Sequence, residues 1–227
     1  QGQYDEAITS YERAIELNPR SFEAHFGLAL IYQEKQQLDA AAEEYRKVLE
    51  INEAYAEAHN NLGVIYREQN QADLALAEYQ RAIELKPDYE DAHFNLAVLF
   101  DSLGRLDEAE QEYLSVLRLN ESNVTAHINL GSIYDKKERY EEASAEFKRA
   151  AELEPQNSQA YFNLGIVYFK TGQLDAAVEA YKQAITLKPD FAEAYENLGV
   201  VYDKQGMYDR ALEEYRKALE IRSSSPS

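Results

Sequence analysis

Apolar positions return along this 227-residue chain with a period of 34. A frame set at Phe22 gives six full units, opening at Phe22, Ala56, Glu90, Val124, Ser158 and Ala192. Each unit carries a leucine (Leu28, Leu62, Leu96, Leu130, Leu164, Leu198) followed at once by a tiny residue (Ala29, Gly63, Ala97, Gly131, Gly165, Gly199). Three positions further on stands a ring: Tyr32, Tyr66, Phe100, Tyr134, Tyr168 or Tyr202. Later comes an alanine, from Ala7 through Ala41 and Ala75 to Ala211, then four residues on a second ring (Tyr11, Tyr45, Tyr79, Tyr113, Phe147, Tyr181, Tyr215). These spacings predict two amphipathic helices per unit, because residues one and four apart share a helix face. The tiny residue lets two helix backbones approach while the rings fill the space beside them. Pro19, Pro87, Pro155 and Pro189 cannot continue a helix and mark the end of the second one, while Gly104, Gly172 and Gly206 mark the turn between the two.

A repeat of this length, reading aromatic-x2-Leu-Gly-x2-Tyr, then Ala-x3-Tyr/Phe, Ala and Pro, resembles the tetratricopeptide repeat family. The resemblance spans residues 1–222 and implies an all-α fold, a right-handed α-solenoid (superhelix) of antiparallel helix pairs. The expected organisation is one array: a half unit at 1–21, full units at 22–55, 56–89, 90–123, 124–157, 158–191 and 192–222, and a flexible tail at 223–227. Glu53 and Glu121 stand where the terminal proline is expected, and the leading aromatic is sometimes histidine. The units opening at Phe22 and Glu90 share alanine after the leucine and a later valine (Val48, Val116), which points to duplication of a two-unit block. The half unit leaves Ala7, Tyr11 and Ala14 partly uncovered. Arrays normally carry polar caps; bare ends point to a fragment of a longer protein, and to end-to-end stacking at high concentration.

Opposite the core stripe of each first helix, water-facing residues should be polar. They read Phe26/Leu30, Asn60/Val64, Phe94/Val98, Ile128/Ser132, Phe162/Ile166 and Glu196/Val200, of which nine of the twelve are apolar. An exposed apolar stripe marks a contact site; the competing reading is packing against the next unit. In the family first helices line the concave face, so the resemblance places this stripe in a groove where a partner segment lies. Beside it runs Asn61, Asn95, Asn129, Asn163 and Asn197, each just before the leucine. An amide both donates and accepts, so such a row can bond successive peptide groups regardless of side chain; alternatively the asparagines satisfy neighbouring groups of the protein itself. The row resembles the asparagine ladder in the repeats of O-GlcNAc transferase. At the ends of the first helices the sequence runs Glu34, Glu68, Ser102, Lys136, Lys170, Lys204, which suits a partner with basic and apolar residues or is ordinary solvated charge. Carboxylate-clamp members of the family need lysine and arginine on this face, where the chain offers Phe26, Glu57, Asn60 and Asp91.

Composition narrows the function. With 42 acidic against 23 basic side chains the net charge is -19, which repels phosphate backbones and argues against nucleic acid and anionic membranes. There is no cysteine, which excludes disulfides, thiolate metal sites and cysteine nucleophiles and is compatible with a reducing, cytoplasmic setting. No apolar run approaches the ~18 residues of a membrane span. Phosphate-loop, HExxH and GxSxG patterns are absent, so neither catalysis nor a cofactor is expected. His25, His59, His93 and His127 recur one per unit at the leading aromatic position, where Tyr161 and Tyr195 take over. First helices ~8–10 Å apart cannot share a metal ion between them, so these histidines read as buried neutral stand-ins for an aromatic ring, and acidification should then destabilise the fold. Overlapping sequons at Asn120 and Asn123 fall in a turn. The expected function is a scaffold holding a peptide or protein segment in the groove. The alternatives are a substrate-recruiting arm of a larger enzyme such as a glycosyltransferase, and a self-assembling structural module.

Overall fold

The computed structural model describes residues 2–224, and in it thirteen α-helices and no strand. Helix contacts cluster into two compact units, Gln1–Leu119 and Asn120–Ser227. The first contains α1 (Gly2–Leu17), α2 (Phe22–Glu34), α3 (Leu38–Ile51), α4 (Ala56–Glu68), α5 (Ala72–Leu85), α6 (Glu90–Ser102) and α7 (Leu106–Leu119). The second contains α8 (Val124–Lys136), α9 (Tyr140–Leu153), α10 (Ser158–Lys170), α11 (Leu174–Leu187), α12 (Ala192–Lys204) and α13 (Tyr208–Ser224). Even-numbered helices are the first helices of the repeats. Each packs most extensively on the helix that follows it through a three-residue turn, and α2, α4, α6, α10 and α12 pack next on the helix before them, so each unit is a stack of helix hairpins. All-α solenoid architecture with six hairpins and a leading half is therefore what the described residues form.

The tiny residue after each leucine does what its spacing predicts. A Cβ added at Gly63 would lie 2.7 Å from Cε1 of Tyr79, and one at Gly165 2.5 Å from Cε1 of Tyr181. The second-helix ring thus lies flat on the first-helix backbone, where Tyr45, Tyr79, Tyr113, Phe147 and Tyr181 are almost wholly buried. In the half unit the equivalent Ala7, Tyr11 and Ala14 remain half-buried, while Ala41, Tyr45 and Val48 are sealed.

Turns inside each hairpin need one residue with positive φ to end the first helix. Gly104, Gly172 and Gly206 supply it at 71°, 75° and 76°, as their spacing predicts. Gln36, Asn70 and Glu138 adopt the same conformation at 57°, 59° and 58° without being glycine. Between hairpins, Ser21, Asn123 and Asn157 cap α2, α8 and α10 by accepting from the backbone N–H of Ala24, Ala126 and Ala160. Register between repeats is further tied by a contact spanning thirty residues, from the end of a first helix to the start of the preceding second helix. Lys35–Asp5 (3.1 Å), Gln69–Asp39 (2.8 Å) and Gln205–Asp175 (2.9 Å) are its instances.

The expected tail at 223–227 is corrected in part: α13 continues through Ser224, with Ser223 and Ser224 hydroxyls donating to the carbonyls of Glu220 and Ile221. The last three positions of that expectation lie outside the described residues. Among the described residues no helix is long and apolar enough to cross a membrane.

Candidate binding faces of the first helices

The apolar row is neither sealed nor bare. In the unit of residues 1–119, Phe26, Val64, Phe94 and Val98 are half-buried and Leu30 is 40 % exposed. In the unit from residue 120, Ile128, Phe162 and Ile166 are half-buried and Val200 is 41 % exposed. The phenylalanines lean on second-helix rings. Phe26 meets Tyr45 edge-on at 5.7 Å and Tyr55 at 5.0 Å, Phe94 meets Tyr113 at 5.9 Å, and Phe162 lies 5.8 Å from Tyr181 and 4.7 Å from Phe191. Such pairs fix the rings, so the row offers preformed edges rather than mobile side chains. Asn60, the polar member of the row, is buried. In the second unit a cavity of about 290 Å³ opens between α10 and α12 above the Tyr181 ring, lined by Ile166, Phe169, Lys170, Tyr181, Asn197 and Val200. Three of those six are members of the predicted row or asparagine ladder or their direct partners in the stripe: Ile166, Asn197 and Val200.

All five ladder asparagines are half-buried, and most are already occupied within the protein. Asn61 donates to the Tyr45 hydroxyl (3.2 Å), which itself donates to Gln33 Oε1 (2.8 Å). Asn95 donates to Asn60 Oδ1 (3.0 Å), and Asn60 donates to Asn61 Oδ1 (3.2 Å). A single directed chain of amides therefore runs from Asn95 on α6 to Gln33 on α2. Asn129 is not free either. Asn163 accepts from Gln159 Nε2 on its own helix (2.9 Å). Burial raises the Tyr45 and Tyr181 hydroxyls well above the usual phenol range, with Asn61 and Asn197 pulling the other way. Burial pushes Tyr79 up to about 12, and its hydroxyl is buried with no hydrogen-bond partner.

Charge is uneven between the units. Residues 1–119 carry 24 acidic and 10 basic side chains, residues 120–227 18 and 13. Glu34 and Glu68 end their helices exposed. Lys170 is exposed as well, but both oxygens of Asp135 hold it at 2.7–2.8 Å.

The histidines require a correction. They are buried as expected, yet they do not merely replace a ring. Nδ1 of His25, His59, His93 and His127 lies 2.6 Å from Oε2 of Glu44, Glu78, Glu112 and Glu146 on the following helix. Nε2 of each faces the carbonyl oxygen six residues earlier, at 3.3, 3.0, 3.1 and 3.0 Å. For His59, burial disfavours the charged ring, but the bond to Glu78, the Glu53 carbonyl and the Glu78 charge together outweigh it and raise its pKa above 6.5. For His93 the bond to Glu112 is the largest influence and exceeds burial, with the same upward result. At His59 and His93 the surroundings thus favour the charged ring, not the neutral one the sequence led us to expect. The signal was present: histidine and glutamate recur nineteen residues apart four times, and where Tyr161 replaces histidine the partner position is Ala180. Among the described residues no group of three or more His, Asp or Glu could hold a metal ion.

The sequence matches the profile of the TPR repeat over residues 1–36, 31–68, 63–104, 133–172 and 167–206, and of the tetratricopeptide repeat over 90–123 and 192–225. The chain belongs to the tetratricopeptide repeat family. Comparison of this TPR chain with curated proteins gives no match. Among solved structures, that of MamA superposes with a TM-score of 0.69 at 28 % identity, covering 71 % of this chain and 95 % of that one. YrrB, described as a TPR protein with an unusual peptide-binding site, superposes with a TM-score of 0.69 at 27 % identity, over 81 % and 94 %. MamA from Desulfovibrio magneticus RS-1, at 21 % identity and a TM-score of 0.71 over 76 % and 97 %, is alike in fold.

Proposed function

We propose that this TPR chain is a protein-interaction scaffold and not a catalyst, and that its guest is a peptide or protein segment lying along the first helices. The observation that carries the reading is the row of half-exposed apolar side chains, concentrated at the cavity formed by Ile166, Phe169, Tyr181 and Val200. Rings fixed by their neighbours lose little freedom when a guest arrives, which favours binding. Phe26, Leu30, Val64, Phe94 and Val98 anchor a guest on the first unit, and Ile128, Phe162 and Ile166 on the second. The excess of acidic side chains in residues 1–119 suits a guest with basic residues there. Peptide binding by YrrB, as its description states it, agrees with this reading. The test is selection of binders from a displayed twelve-residue peptide library on the immobilised chain, followed by affinity measurement. Ile166→Ser with Val200→Ser should weaken the selected peptides at least tenfold without changing helicity; unchanged affinity removes the assignment.

A second reading, self-association through the end of the stack, is favoured by one feature. Leu212 and Leu219 on α13 are 53 % and 65 % exposed, whereas Val178, one repeat earlier than Leu212, is 7 % exposed. Sedimentation at millimolar concentration tests it, and a monomer that stays monomeric there excludes it.

A further inference from the structure

We propose that the groove between the second helices α5 and α7 takes a lysine or arginine side chain presented by a partner protein. In other copies of the repeat the chain covers its own first-helix ring with such a side chain. The residue after the second-helix ring is Arg46, Lys148, Lys182 or Arg216 in four of the seven copies. Arg46 lies 5.9 Å from the ring centre of Tyr66, and its Nε donates to the Tyr66 hydroxyl at 3.2 Å. Lys148 Nζ lies 5.7 Å from the ring centre of Tyr168. Between α5 and α7 both members of the pair change. The residue is Gln80, and the ring is Phe100, the one first-helix ring of the six that lacks a hydroxyl. A cavity of about 490 Å³ opens there, with Leu96 and Phe100 of α6 in its lining. Arg105 does not take the place of the missing cation. It covers Phe100 at 4.4 Å from the turn before α7, where Glu108 Oε1 holds its Nε and Nη2 at 2.9 and 2.8 Å. Two cations beside one ring have a precedent in Tyr202, which lines a cavity with Lys182 and lies 5.7 Å from Arg210.

The charge of the lining selects the guest. Glu84 from α5 and Glu108 and Glu112 from α7 face the single guanidinium of Arg105. Each glutamate bonds within the protein through one oxygen: Glu84 Oε2 to Arg81 at 3.0 Å, Glu108 Oε1 to Arg105, and Glu112 Oε2 to His93 at 2.6 Å. A carboxylate has two acceptor oxygens, so one oxygen of each is left for a guest. A lysine or arginine matches both parts of the site: its methylene stem covers Ile83, Leu96 and Phe100, and its head meets the carboxylates and the ring face. The same carboxylates repel an anion, and an aliphatic guest leaves them unused. The inference rests on the α5–α7 groove alone, so it and the first-helix row can fail separately.

The experiment uses the full chain with 15N and 13C-methyl labels, followed by NMR. The probe is N-acetyl-lysine N′-methylamide, and N-acetyl-norleucine N′-methylamide is its uncharged analogue of equal stem length. The lysine probe should shift the Ile83 and Leu96 methyl groups, and the norleucine probe should bind there about fivefold more weakly, having neither the ring nor the carboxylate contact. Glu84→Gln should weaken the lysine probe about twofold to fivefold. Gln80→Lys places in the groove the residue type that Lys148 and Lys182 supply in their own copies. It should abolish the response at Ile83 and Leu96, leave helicity unchanged, and leave the shifts around the exposed carboxylate of Glu34, where any cation gathers. Should Gln80→Lys lose helicity, the two probes and Glu84→Gln decide alone. Equal binding of the two probes, or a lysine affinity untouched by Glu84→Gln, overturns the cationic guest. A response that survives Gln80→Lys, or none at Ile83 and Leu96 in the unaltered chain, overturns the site.

Discussion

Stability of this TPR chain should fall as pH rises above neutrality, because of His59 and His93. Both ring nitrogens of each face acceptors only, a glutamate oxygen at 2.6 Å and a backbone carbonyl at 3.0–3.1 Å. A neutral imidazole has one N–H and must leave one acceptor unmet; the imidazolium satisfies both. The facing charges are Glu78 and Arg81 for His59, and Glu112 and Arg118 for His93, each arginine opposing the protonated ring. With both pKa values raised in the folded state, the stabilisation is fully present below the unfolded value near 6.5 and is lost as pH climbs through the folded values. Side chains of His59 and His93 are 9 % and 11 % exposed, their glutamates 23 % and 22 %, so solvent weakens the pairs only in part. Hydrogen bonds to charged groups contribute about 1.5–3 kcal/mol each before such screening, and about 1–2 kcal/mol per histidine is the expected loss between pH 6 and pH 9.

The control is written into the chain. Tyr161 with Ala180 occupies the same two positions without the ion pair, so His59→Tyr with Glu78→Ala and His93→Tyr with Glu112→Ala should fold. Urea unfolding of both proteins from pH 6 to pH 9 separates this effect from general repulsion among the acidic side chains, which acts on both. The stability curve of the unaltered chain should fall more steeply than that of the variant by the amount above. Parallel curves, or histidine resonances of position 59 or 93 titrating below 6.5, would refute the reasoning.

Three further outcomes follow from the packing. Leu130→Ala should cost about 2–5 kcal/mol in urea unfolding, because Leu130 is wholly buried and its neighbours cannot close the space. Gly165→Ala should cost about 1–3 kcal/mol, since the new Cβ would sit 2.5 Å from the ring of Tyr181, itself 2 % exposed and unable to withdraw; a melting temperature equal to that of the parent would show the ring to be mobile. Glu138→Gly should raise stability by up to about 1 kcal/mol, as φ of 58° strains a residue with a Cβ, and a loss instead would mean that the greater freedom of glycine in the unfolded chain dominates.

Helix pairing was legible in the sequence because every core position is stated six or seven times, and chance cannot repeat Leu, Gly and Tyr in register that often. The half-buried state of Phe94 and Phe162 was only half legible. Spacing placed them off the core stripe, but their partners Tyr113, Tyr181 and Phe191 come from second helices and turns, whose reach depends on how close the glycines bring the backbones. Asn61 illustrates the same difficulty in polar form. Position told that an amide stands beside the groove, not that the Tyr45 hydroxyl from the preceding helix already holds it. The histidine–glutamate pairs were readable from a nineteen-residue interval but hidden by abundance: with 42 carboxylates in the chain, four recurring ones pass for a solvated face. Positive φ at Gln36 and Glu138 carries no composition signal at all, because neither residue type announces it.

A stack whose core positions are nearly identical can choose among guests only through the positions that are not repeated, and charge is the most unequal of these. Fourteen more acidic than basic side chains fall in residues 1–119, against five more in residues 120–227. Exposed charges act over a Debye length of about 10 Å at 0.1 M salt and about 3 Å at 1 M. A cationic guest such as pentalysine should therefore perturb amide resonances of α2, α4 and α6, around Glu34, Glu57 and Glu68, far more than those of α10 and α12, and raising salt from 0.1 M to 1 M should abolish that perturbation. Binding of a leucine-bearing probe, N-acetyl-leucine N′-methylamide, in the apolar cavity at Ile166 and Val200 should survive the same change and even strengthen slightly, since high salt does not weaken apolar burial. If pentalysine perturbs both units alike, or if salt removes the leucine probe as readily as the lysine one, then the two stretches do not divide recognition between charge and shape, and the difference in their side-chain charge has no bearing on the guest.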